Sequence, residues 1–192
     1  MNRRTAVKSI FIYGAAIGGV VSAYEFFKLN RKVDKEYIQS RKKLIEQLTE
    51  LIIPATDTPG AREAGAGDYV ARAVSENLSR KDANNFIDGL KELERLSRSK
   101  KKKDFLECSM EEQKELLQII KAPPFYGNNK TVKKIDRKIL GASFFDTLKQ
   151  QTVIGYCTSE LGATKGMNYD YIPGHYAGCI PLEKGQKCWA TK

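Results

Sequence analysis

Histidine is nearly missing from this chain. His175 is the only one in 192 residues, so a multi-histidine metal site or a two-histidine haem site cannot be built from it. The four cysteines, Cys108, Cys157, Cys179 and Cys188, show neither the two-residue spacing of a zinc knuckle nor a Cys-x-x-Cys-His haem attachment run. A nucleotide fingerprint is lacking too. Gly60, Gly65 and Gly67 follow a predicted helix rather than a strand, which removes the strand-turn-helix context that makes a glycine-rich loop a phosphate cradle. His175 and Cys179 lie four residues apart in a glycine-rich stretch with no third group to orient them, which argues against a nucleophile pair. Glu111 and Glu112 sit at a predicted helix start, so general acid-base work is not expected of them. No uninterrupted apolar run reaches the roughly 20 residues of a comfortable bilayer span. Strand alternation, repeats and low-complexity stretches are absent as well.

What remains is helical. Tyr37, Ile38, Leu44, Ile45, Leu48, Leu51 and Ile52 recur at three- and four-residue steps, which predicts one helix from an Asp34 cap to Ile53, ended by Pro54. A turn follows through Thr56-Asp57-Thr58-Pro59-Gly60 to Gly67. Asp68 is the expected cap of a second helix that runs to about Leu78 and buries Val70, Ala71 and Val74. Ser79 opens a third, with Phe86, Ile87, Leu90, Leu93 and Leu96 on one face. Ser109-Met110-Glu111-Glu112 reads as a capping box for a fourth, running to Ile120. Pro123-Pro124 interrupts, and a last long helix is expected over 136–161. The predicted class is all-α: a compact bundle of about five helices with an irregular tail over 163–192, preceded by a signal or anchor helix. One domain, residues 31–192, follows a leader over 1–30.

The formal net charge is +10. The leader supplies part of it, and Arg98 to Lys103 holds five basic residues in six. That run lacks interleaved aromatics to stack on bases, so a solvated helix end is expected and no nucleic-acid partner. In the leader, Arg3 and Arg4 precede an apolar run of about 14 residues from Ile10 to Ala23. The arginine pair with Val7 and Lys8 resembles a twin-arginine (Tat) export signal, although Ala6 stands where phenylalanine is common. Cleavage after Val21-Ser22-Ala23 and retention as an anchor, lengthened by Phe26 and Phe27, both fit. The expected location is the periplasm, reached through the Tat translocase, with membrane attachment through the N-terminus left open.

Export permits disulfides. Cys179 with Cys188 is the favoured pair, since both fall in a Gly/Pro-rich tail that gains most from a covalent staple. Cys108 and Cys157 are then paired, free and buried, or bonded to another chain.

Two stretches carry a resemblance: Leu44 through Ile53-Pro54-Ala55-Thr56-Asp57-Thr58-Pro59-Gly60-Ala61, and Thr152 through Gly162 to Tyr171-Ile172-Pro173-Gly174-His175-Tyr176-Ala177-Gly178-Cys179. Together they resemble the gluconate 2-dehydrogenase subunit 3 family, small subunits of membrane-associated dehydrogenases. The resemblance implies that this chain binds no cofactor and catalyses nothing. It implies a large glucose-methanol-choline type partner that carries FAD, and a cytochrome c partner with c-type haem as electron acceptor. It also implies a role for this chain in assembly, stabilisation and export of the flavoprotein. The alternative is a membrane-tethered periplasmic scaffold or binding protein without a dehydrogenase partner. On the first reading the partner interface is expected at Asp57 and Pro59 of the turn and at Tyr169, Tyr171, His175, Tyr176 and Trp189 of the tail, because aromatics anchor interfaces at low entropic cost; the alternative is that the tail wraps its own helices.

Overall fold

The computed structural model describes residues 27–121, 137, 140–172, 174, 179, 181 and 184–190. The leader residues Arg3, Arg4 and Lys8, and His175 and Tyr176 of the tail, lie outside the described residues.

The Asp34 carboxylate accepts from the Tyr37 amide at 2.9 Å and caps α1, Lys35–Ser40. The single helix expected here is two. Arg41, at φ −103° and ψ 14°, separates α1 from α2, Lys42–Ile52. Buried Ile38, Leu44, Ile45 and Leu48 keep one apolar face across the break, which is why the periodicity passes through it. Ile53 leaves the helical region before Pro54, as a residue preceding proline must.

The second helix departs from expectation at its cap. α3, Ala66–Arg72, starts from Gly65 in the left-handed region at φ +70°, and the Asp68 carboxylate instead pairs with Lys42 at 2.7 Å. A π-helical turn, Ala73–Asn77, follows. Ser79 caps α4, Arg80–Lys101, by accepting from the Asp82 amide. This helix ends where Lys102 turns left-handed at φ +58°. A 3-10 turn, Phe105–Glu107, leads into α5, Met110–Lys121. The Ser109–Glu112 capping box forms reciprocally, at 2.9 and 3.3 Å.

The long helix expected over 136–161 is shorter among the described residues. Gly141 at φ +89° stops a turn whose last bond runs from the Gly141 amide to the Arg137 carbonyl. The Ala142 amide then donates to Asp82, and Ser143 caps α6, Phe144–Cys157. Gly162–Gly166 forms a second π-helical turn.

The core lies between α2, α3, α4 and α6, around Phe86, Ile87, Leu90, Leu93 and Leu148. Burying each such side chain contributes roughly 1.5–3 kcal/mol relative to exposure. The α4–α6 contact is close: Phe86 and Phe144 have ring centroids 5.2 Å apart, and a Cβ on Gly89 would stand 2.3 Å from the Phe144 ring. Among the described residues no helix is long and apolar enough to cross a membrane.

Candidate partner interface

The turn after α2 is built around one carboxylate. Glu50, in the last turn of α2, accepts from the Ala55 amide with Oε1 at 3.0 Å and from the Arg62 amide with Oε2 at 2.9 Å. Two successive legs of the turn therefore close on a single side chain, through charge-assisted bonds. Gly60 is required at the centre, because a Cβ there would lie 2.5 Å from Glu50 Oε1 and 2.7 Å from the Ala55 nitrogen. The Ala61 amide donates to Ile53 and the Ala66 amide to Ala61, both at 2.9 Å, which ties the turn to both flanking helices. Pro54, Ala55, Thr56 and Asp57 face outward. Asp57 accepts from the Thr56 hydroxyl at 2.9 Å. Arg62 reaches Gln47, whose amide donates to Gln113 at 2.8 Å. Gln113 in turn donates to the Phe105 and Cys108 carbonyls, so the turn is braced against the segment before α5.

Tyr156 brings the tail to this turn. Its hydroxyl donates to the Pro59 carbonyl at 2.9 Å across 97 residues of sequence. Gly166 presses on the same side chain, with room for no Cβ: one would stand 2.4 Å from the Tyr156 oxygen. The chain then runs outward. The Asn168 amide donates to the Cys188 carbonyl and the Ala190 amide to the Asn168 carbonyl, both at 2.8 Å, pairing Asn168 with Trp189 in a parallel bridge. Lys187 donates to the Lys165 carbonyl at 3.1 Å. Around this closure Tyr169, Tyr171, Ile172 and Trp189 are exposed, Tyr171 at 81% and Ile172 at 74%. Large apolar side chains so open to solvent are of the kind that interaction sites present.

Of the residues expected at the interface, Asp57 and Pro59 stand in the turn, and Tyr169, Tyr171 and Trp189 in the exposed tail. Sequence reasoning passed over Glu50, Gly60 and Tyr156, which hold the two regions in place. The signals were a carboxylate one turn before a helix-ending proline and a glycine after a second proline. For Tyr156 there was none, since its partner is remote in sequence.

The expected disulfide is not seen among the described residues. All four cysteines are free thiols. Backbone pairing of Asn168 with Cys188 and Ala190 holds the tail where the Cys179–Cys188 staple was expected. Cys108 is buried, 3.3 Å from the Ser97 hydroxyl, while Cys157 ends α6 half-buried.

A second polar cluster joins α1 to α4. The Tyr37 hydroxyl donates to Glu94 at 3.1 Å, Arg41 pairs with Glu94 at 2.7 Å, and Arg41 and Lys91 both stand over the Tyr37 ring. Burial, reinforced by the Glu94 charge, pushes the Tyr37 phenol up to about 12. Its opposite charges pair with one another, which is the behaviour of a structural tie. Among the described residues no three His, Cys, Asp or Glu side chains gather to hold a metal ion.

A family model described as gluconate 2-dehydrogenase subunit 3 matches residues 39–174. The chain belongs to that family. No curated protein and no solved structure gives a match. As a member of the gluconate 2-dehydrogenase subunit 3 family, the chain is an accessory subunit of a dehydrogenase complex. The matched span begins inside α1 and takes in the Glu50-centred turn, α6 and the start of the exposed tail, leaving out the leader and Trp189.

Proposed function

We propose that this chain is the non-catalytic small subunit that assembles with, stabilises and co-exports a larger FAD-dependent sugar or polyol dehydrogenase of the glucose-methanol-choline type. The partner carries the flavin, and a cytochrome c subunit takes its electrons. The Tat route carries folded cargo, so a flavoprotein without its own signal can acquire FAD in the cytoplasm and cross to the periplasm bound to this subunit. Arg3, Arg4 and Lys8 then serve two polypeptides.

The observation that carries this reading is the convergence at Tyr156. A rigid turn and an exposed group of aromatic side chains, a hundred residues apart in sequence, meet at one end of the bundle. Exposed aromatic anchors beside a preorganised backbone form an effective docking surface, because little entropy is lost when they are buried on association.

A pull-down from native membranes, read by the flavin absorbance of what accompanies the chain, tests it. Deleting residues 169–192 is expected to abolish flavin recovery. Substituting Tyr169, Tyr171 and Ile172 together by serine is expected to do the same without removing the backbone bridge at Asn168. Full flavin recovery with both variants refutes the docking surface, and no flavin with the native chain refutes the partner.

A further inference from the structure

We infer that the first half of α4, together with the segment it holds, is the face this subunit turns toward an anionic membrane surface. The inference rests on reading residues 10–23 as the membrane-inserting part of the leader.

The chain is fixed to the body immediately after that segment. Leu29 is buried. Asn84 is fully buried, and its amide nitrogen donates to both the Leu29 and the Arg31 carbonyl at 2.9 Å. Arg31 grips Asp88 with both terminal nitrogens, at 2.6 and 3.4 Å. Only residues 24–28 separate Ala23 from this anchorage. At no more than roughly 3.5 Å per residue, they hold the α4 face within about 20 Å of the end of the apolar segment. With residues 10–23 in the bilayer, that distance keeps this face close to the head groups.

The chemistry of the face suits the place. Arg80, Asn84 and Asp88 are spaced by four residues and share one stripe of α4. Next to it, Asn85 donates to the Leu140 and Ala142 carbonyls at 2.7 and 3.1 Å, which brings the loop before α6 onto the same side. Phe27 is 74% exposed and Leu140 40%. Lys32, Arg80 and Arg137, within a few residues of Leu29, Asn84 and Leu140 in sequence, are exposed. Two carboxylates on this side are engaged: Asp82 accepts from the Ser79 hydroxyl and the Ala142 amide, and Asp88 holds Arg31. Open apolar side chains together with exposed cations are what interfacial surfaces present to anionic head groups. The basic run from Arg98 to Lys103 begins roughly 15 Å beyond Asp88 along the same helix and is no part of this face.

The full chain, reconstituted with vesicles containing phosphatidylglycerol and brominated phosphatidylcholine, gives the test. Trp189 is the only tryptophan, so a Leu140→Trp, Trp189→Phe chain reports on the proposed face and the native chain on the tail. The indole placed at position 140 is expected to lose at least half its fluorescence to the brominated lipid, and Trp189 almost none. Adding Arg80→Glu and Arg137→Glu is expected to leave the chain floating with the vesicles while reducing that quenching several-fold. A chain that floats with an unquenched indole at position 140 overturns the inference and spares the leader reading. A chain that does not float overturns both. Quenching unmoved by the two charge reversals overturns the role of the cations. An indole at position 140 shielded only when the flavoprotein is added assigns this face to the protein partner instead.

Discussion

Single side chains hold the proposed docking end in shape, and their effects can be separated. Tyr156→Phe keeps the ring that packs against Gly166 and removes only the bond to the Pro59 carbonyl. A neutral hydrogen bond contributes about 1 kcal/mol, which in a chain of this size lowers the melting temperature by about 2–4 °C. Calorimetry of the variant checks this. Glu50→Gln is expected to cost more, about 1–3 kcal/mol, because both bonds are charge-assisted and the amide keeps one acceptor oxygen for two backbone donors. Urea unfolding reads the difference. Tyr37 supplies a pH dependence. Its phenol ionises near 10 in an unfolded chain and is held at about 12 in the fold, so the native state binds the proton more tightly. The resulting stabilisation is complete below pH 10 and disappears as the pH rises toward 12. Tyr37→Phe is expected to lose less stability than the native chain between pH 9 and pH 12, as melting temperatures across that range will show.

At the scale of elements, the legible features were those whose cause is local. Asp34, Ser79 and Ser109 cap their helices through contacts three residues ahead, and each was readable from sequence because residue type and spacing are the whole mechanism. Breaks were harder to see. The apolar period runs unchanged through Arg41, Gly65 caps α3 by a backbone angle rather than a side chain, and Gly141 stops a helix that the hydrophobic pattern continues. Contacts between elements left no mark at all: nothing near Tyr156 announces Pro59, and nothing near Asn84 announces Leu29. Gly89 is such a case. In isolation Gly89→Ala favours the helix by up to about 1 kcal/mol, yet in the fold the new methyl would stand 2.3 Å from buried Phe144. Displacing that ring costs about 1–3 kcal/mol, and the steric loss exceeds the propensity gain because the clash falls on the Phe144 Cβ and the root of its ring rather than on a flexible end. Denaturant unfolding is expected to show Gly89→Ala as destabilised.

Across the whole molecule, α6 acts as a spacer. Its first turn packs on α4 beside Phe86 and Gly89, next to the loop that Asn85 holds, and its last turn carries Tyr156 to the Pro59 turn and the tail. Phe144 to Tyr156 spans roughly 18 Å of helix, so the proposed membrane face and the proposed docking end lie a full helix length apart on one rigid core. The subunit can then meet the lipid at one end and hold a folded flavoprotein at the other without either excluding the other. Perturbations at the two ends are therefore expected to be independent, as they are for sites without shared partners. Arg80→Glu with Arg137→Glu should leave flavin recovery in the pull-down at the native level while weakening contact with phosphatidylglycerol vesicles. Tyr169→Ser with Tyr171→Ser should cut flavin recovery at least tenfold and leave vesicle contact unchanged. If either pair of substitutions impairs both readouts while the melting temperature holds, the two ends are coupled through α6, and the spacer reading gives way to a single continuous surface.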